Sequence, residues 1–129
     1  MSGHTLIIEP DRALAQRFEA TLNNEGFDIE IVTSGTDGMR AARRHPPDVI
    51  VLDADLLHTE DEVAQNYWAF KLHPRTRHVP IVVLMDQSQE QERAVGGAPQ
   101  GGRVGDFALP KNMFIPFTLF ELLRFIHLA

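Results

Sequence analysis

The chain has no cysteine in 129 residues. That excludes a disulfide framework, a thiolate metal site and thiol chemistry. It also lacks any apolar run approaching the length of a membrane span, and its N-terminus carries no secretory pattern. Positive charge is in deficit. The formal net charge of −6 argues against nucleic acid as a direct partner, because such binding runs on phosphate neutralisation by Lys and Arg. No glycine-rich stretch ends in Lys-Ser or Lys-Thr, so there is no phosphate loop of that kind. What these absences leave is a soluble cytoplasmic protein with neither membrane nor nucleic acid as a direct partner. One domain over residues 1–129 is expected at this length, and roughly two-thirds of the unfolded chain's surface can be buried.

What is present is patterned. The apolar run Val49-Ile50-Val51-Leu52 follows a Pro-Pro pair and closes in Asp53. Such a run reads as a buried strand. An acid at its end emerges at the carboxyl edge, where parallel α/β sheets place their ligands. Leu6-Ile7-Ile8 ends the same way, in Glu9-Pro10-Asp11. Two strands delivering acids to one edge suit a divalent cation, a phosphoryl group, or both.

Elements alternate along the chain. Strands are expected at Leu6–Ile8, Ile29–Val32, Val49–Asp53 and Ile81–Met85, with a fifth within Phe107–Ile115. Helices are expected at Arg12–Asn24 and Thr36–Arg44, within Asp61–Leu72, around Gln89–Val95, and from near Thr118 onward. Gly26 marks the stop of the first helix. Leu119, Leu122, Leu123 and Ile126 form the inward stripe of the last. The pattern predicts an α/β fold: a doubly wound, five-stranded parallel sheet flanked by five helices, flavodoxin-like, with right-handed crossovers. The glycine-rich stretch Gly96 to Gly105 reads as a mobile surface loop.

In order and spacing, four segments resemble the receiver domain of bacterial two-component response regulators. They are Leu6-Ile7-Ile8-Glu9-Pro10-Asp11, Pro47-Asp48-Val49-Ile50-Val51-Leu52-Asp53, Val79-Pro80-Ile81-Val82-Val83-Leu84, and Pro116-Phe117 followed by Glu121-Leu122-Leu123. The resemblance covers nearly the whole chain. It implies that Asp53 is the phosphoacceptor position, served by a histidine kinase or phosphotransfer protein. It implies a signalling module rather than an enzyme. A carboxylate is a poor nucleophile towards phosphorus, and needs a cation to neutralise the transferring oxygens. The resemblance implies Mg²⁺ held by two acids after strand one, the acceptor, and the carbonyl two residues beyond it. By position these are Glu9, Pro10, Asp53 and the backbone carbonyl of Asp55. A Ser or Thr ending strand four and a Lys ending strand five then hold the phosphoryl oxygens. Self-association is also implied, as a homodimer through the face of helix four, strand five and helix five.

The chain departs from that pattern. Pro10 has no side-chain oxygen, so Mg²⁺ binding is expected to be weak, with Glu9 reaching the ion. Asp11 stands one residue late for a metal ligand and suits a helix N-cap better, accepting from the amides of Ala13 or Leu14. Met85 stands at the Ser/Thr position, and a thioether cannot donate. Asp55 and Asp86 add negative charge around the site. Counting back from Pro116-Phe117 puts Ile115 at the lysine position. Counting on from Gly105-Asp106 puts Lys111 there, with Asn112 to Ile115 as an insertion. Ile115 is preferred, because Met113-Phe114-Ile115 is the apolar run able to enter the proline turn; Lys111 stays open.

Two functions from different classes follow. One is a receiver phosphorylated at Asp53; the other is a phosphorylation-independent pseudo-receiver, an interaction module. Val51-Leu52-Asp53-Ala54-Asp55 also resembles the aspartate-nucleophile motif of haloacid dehalogenase-like phosphatases, but Leu57 breaks it and the strand is the third rather than the first. A flavodoxin-like electron carrier is disfavoured, since no Ser/Thr/Gly-rich loop follows strand one. The six histidines are scattered and read mostly as surface residues. Tyr67 and Trp68 read as packing. With no effector domain among these residues, the chain is expected to be a free-standing receiver or a piece of a longer protein.

Overall fold

Runs of Ile, Val and Leu build a single parallel sheet of five strands, ordered β2-β1-β3-β4-β5. These are β1 (His4–Ile8), β2 (Asp28–Val32), β3 (Val49–Asp53), β4 (Ile81–Met85) and β5 (Phe107–Pro110). The computed structural model describes residues 4–54, 67–85, 106–112 and 114–128, without the side chains of 127 and 128. Every residue of β3 and β4 is buried. Central strands covered on both faces need continuous apolar runs rather than alternating ones, and both have them. The edge strands β2 and β5 are only partly buried.

The helices divide between the two faces. α1 (Arg12–Asn24) and α4 (Ile115–Leu128) pack on one, burying Phe18, Leu22, Ile115, Leu119 and Leu123 against Ile7 and Val51. α2 (Gly35–Arg44) and α3 (67–72) cover the other, with Ala41, Ala42, Tyr67 and Phe70 against Ile8 and Leu52. Trp68 packs against this second cluster. Four helical segments are thus among the described residues. The helix expected around 89–95 and the glycine-rich stretch 96–105 lie outside them.

Local chemistry sets the boundaries. Asp11 Oδ1 accepts from the amides of Ala13 and Leu14 at 3.0 and 3.2 Å, the expected cap. Gly26 takes φ 86° beyond the C-terminus of α1, a conformation that costs glycine little. α2 starts at Ser34, whose hydroxyl accepts from Asp37 N at 3.1 Å. The last helix corrects the expectation: it begins at Ile115, not near Thr118. Asn112 Oδ1 accepts from Phe114 N at 2.8 Å and turns the chain early. The Phe114 carbonyl then accepts from the amides of Phe117 and Thr118, each at 3.0 Å. Pro116 falls in the first turn, where a missing N–H leaves nothing unsatisfied. Thr118 is therefore inside the helix, with its hydroxyl donating back to the Ile115 carbonyl at 3.1 Å. His4 also departs from a surface reading. It is half-buried, with Nδ1 3.1 Å from Asp28 and its ring stacked on His45 at 4.3 Å.

Candidate functional site

β1 and β3 are neighbours with Ile8 opposite Leu52. The residues that follow, Glu9 and Asp53, therefore reach the carboxyl edge side by side. Both are 1% exposed. A buried carboxylate needs a counter-charge, and it comes from the loop after β5. β4 pairs with β5 with Met85 opposite Pro110, and Lys111 N donates to the Met85 carbonyl at 2.8 Å. The Lys111 side chain then reaches Asp53, its Nζ 2.9 Å from Oδ1 and 3.1 Å from Oδ2.

This overturns the preference for Ile115 as the residue facing the acceptor. Ile115 is buried in the cluster of Phe18 and Leu119, while Lys111 is the residue bonded to Asp53. The physical reason is that β5 stops at Pro110, so the apolar run counted as its end instead opens a helix. Lys111 is the lysine at the pocket.

Glu9 is strained electrostatically. Its Oε2 accepts from Asp11 N at 3.1 Å, while Oε1 is buried with no hydrogen-bond partner. Burial first, then the adjoining Asp53 carboxylate, pushes Glu9 up to about 9, with the Asp11 amide and Lys111 pulling the other way. Without a cation Glu9 is therefore a neutral acid at pH 7. Asp11 spends Oδ1 on capping α1. Met85 is 1% exposed and brings no hydroxyl to the edge. Asp55 and Asp86 lie outside the described residues.

Two adjacent carboxylates, one with an orphaned buried oxygen, are hard donors of the kind Mg²⁺ takes. Glu9 and Asp53 would hold it; among the described residues no third acid or histidine joins them as a metal cluster. Two rim residues were missed from sequence. Asn112 carries a turn signal, an Asn ahead of an apolar run. Arg17 lines a groove with Lys111 and Asn112; nothing but its place on α1 marks it.

No family model matches the chain. Fold and relatives nevertheless agree on a class: the chain has the CheY-like, receiver-type fold, and its neighbours in sequence and structure are response regulator receiver domains. It is 30% identical over 119 residues to the response regulator MprA of Mycobacterium leprae, a match covering 92% of this chain and 46% of that protein. The structure of the chemotaxis response regulator CheY4 of Vibrio cholerae matches with TM-score 0.76 and 21% identity, over 98% of this chain and 99% of that one. The receiver domain of the Pseudomonas aeruginosa sensor histidine kinase PA1611 matches with TM-score 0.77 and 23% identity, over 98% and 99%. That structure has a magnesium ion coordinated in its active-site cleft. The chain spans less than half the length of the curated relatives it matches. Among the described residues no helix is long and apolar enough to cross a membrane.

Proposed function

We propose that residues 1–129 form a single receiver domain that takes a phosphoryl group on Asp53 from a histidine kinase or phosphotransfer protein, and transmits it weakly. The observation that carries this reading is the Lys111 ammonium bonded to both oxygens of the buried Asp53, beside Glu9. In the transfer, an Asp53 oxygen bonds phosphorus while the phosphorus–nitrogen bond of the donor phosphohistidine breaks, and the imidazole leaves with a proton. Mg²⁺, when bound, neutralises the transferring oxygens. Glu9 would give up its proton to serve as a ligand, and the backbone carbonyl of Asp55 is the further ligand that the resemblance implies. Lys111 exchanges a carboxylate oxygen for a phosphoryl oxygen, so the same cation stabilises both states. The chain is a signalling module and not an enzyme, working in the cytoplasm without direct contact to membrane or nucleic acid.

Incubation with Mg²⁺ and acetyl phosphate tests the assignment. The native protein should gain the mass of one phosphoryl group and Asp53→Asn should gain none. Labelling that survives the substitution would show the acceptor misassigned.

The second reading, a pseudo-receiver, is favoured by Met85. With no hydroxyl ending β4, nothing there can follow the phosphoryl group. Failure of the native protein to label would decide for it. A homodimer through the last helix is a further expectation, since Phe125 is exposed on α4.

A further inference from the structure

β5 delivers the lysine that faces Asp53, yet packing holds the strand itself only loosely. It is the last strand of the sheet and pairs with β4 alone. All four of its residues are only half-buried. Register is weakly set where neither face of a strand is fully covered. Successive side chains point to opposite faces, so a slip of one residue would carry Lys111 off the acceptor.

Asp106 fixes the start of this strand. Its amide donates to the Ile81 carbonyl at 2.9 Å, and its Oδ2 accepts from Ile81 N at 2.8 Å. One residue thus grips the first residue of β4 with both main chain and side chain. The grip has its own support on α3. Lys71 Nζ lies 2.7 Å from Asp106 Oδ2 and donates to the Val79 carbonyl at 3.0 Å, just ahead of β4. The Tyr67 hydroxyl donates to Asp106 Oδ1 at 3.4 Å, and the Lys71 ammonium stands 5.9 Å from the centre of the Tyr67 ring. The Lys71 side chain is only 18% exposed, and salt screens a partly buried pair much less than an open one.

At the other end of β5, Lys111 N donates to the Met85 carbonyl at 2.8 Å, and its Nζ meets both oxygens of Asp53. The strand between is an extended rod that advances about 3.3 Å per residue. Where it starts therefore decides where Lys111 lands.

We propose that Lys71 and Asp106 are positioning residues for the acceptor. They grip the start of β5 from α3, at the edge of the sheet opposite Asp53, and set the register that holds the Lys111 ammonium on Asp53. The inference needs the bond between Lys111 and Asp53 and does not need phosphorylation. It therefore stands or falls apart from the phosphoacceptor reading. A clasp that served stability alone would lower the urea midpoint when cut and leave Asp53 as it is.

The readout is the side-chain carboxyl ¹³C signal of Asp53 at neutral pH. Lys111→Ala gives the displacement caused by losing the ammonium. Lys71→Met and Asp106→Ala should each move the signal in the same direction, by about half that displacement or more. In the Lys111→Ala background each should add less than about a fifth of it, as coupled residues do. Lys71→Arg keeps a cation for Asp106 and should return the signal to its native position. Urea midpoints verify that each variant is folded. If Asp106→Ala does not fold, Lys71→Met decides, since it leaves Ile81 N its acceptor. An Asp53 signal that Lys71→Met does not move overturns the inference, and so does an equal displacement with and without Lys111. Labelling by acetyl phosphate with Mg²⁺ is followed alongside. A native protein that takes no phosphoryl group removes the phosphoacceptor reading alone, and the carboxyl comparison still decides the clasp.

Discussion

Glu9 adds a second carboxylate beside Asp53 and Lys111 supplies the counter-charge, and their balance is open to titration. Glu9 titrates at about 9 in the fold against an ordinary value of 4.5. The folded protein therefore keeps a proton that the unfolded chain releases. The stability linked to that proton is complete below about pH 4.5 and is lost as pH rises towards 9. Urea midpoints of the metal-free protein should fall across that window. Glu9→Gln should flatten the fall, and an unchanged slope would show that another group is responsible. Mg²⁺ competes for the same oxygens, so its binding should tighten as pH rises. Pro10→Asp should tighten it further by adding an oxygen ligand; equal calorimetric affinities for native and variant would contradict the shortage of donors. Ile115 gives a contrasting prediction. It is 1% exposed in the core cluster of Phe18 and Leu119, so Ile115→Lys should destabilise by roughly 3 kcal/mol or more through burial of a charge. A fold left intact by that substitution would contradict its placement in the core.

At the level of elements, close packing decides more than propensity. Gly38 faces β1 so tightly that a Cβ would sit 2.8 Å from Ile8 Cγ1. Alanine normally favours a helix over glycine by about 1 kcal/mol, but overpacking costs about 1–3 kcal/mol. Gly38→Ala should therefore lower the urea midpoint; a rise would show that Ile8 can move aside. β1, β3 and β4 were legible because each contains a short apolar run bounded by turn residues, whereas β5 was placed only within Phe107–Ile115. α1 was legible from the spacing of Leu14, Phe18 and Leu22 and from its Asp11 cap. The start of α4 was not. Phe114-Ile115 is equally compatible with strand and helix, and a single side-chain bond from Asn112 settles the matter. Asp106 was likewise hidden: its carboxylate accepts from Ile81 N at 2.8 Å and meets Lys71 at 2.7 Å, a clasp joining distant segments that no local pattern announces.

For the whole molecule, strand order is what assembles the site. Placing β1, β3, β4 and β5 consecutively brings Glu9, Asp53, Met85 and Lys111 to one edge from positions scattered along the chain. The acids were readable because each ends an apolar strand. The lysine was not, because its place depends on where β5 stops. Met85 brings no hydroxyl to the end of β4, and a ligand shifts a conformational equilibrium only through its differential interaction with the two states. Modification of Asp53 should thus disturb the pocket without moving α4, and Met85→Thr should restore part of the coupling. Large shifts reaching Phe117 and Phe120 in the native protein would place it among working switches instead. The most direct measurement of the central claim is the amide spectrum with Mg²⁺ and beryllofluoride, which mimics a phosphoryl group on a carboxylate. The account predicts saturable shifts at Glu9, Asp53 and Lys111 that disappear in Asp53→Asn. A native spectrum that does not change, or shifts that persist without the Asp53 carboxylate, would contradict it.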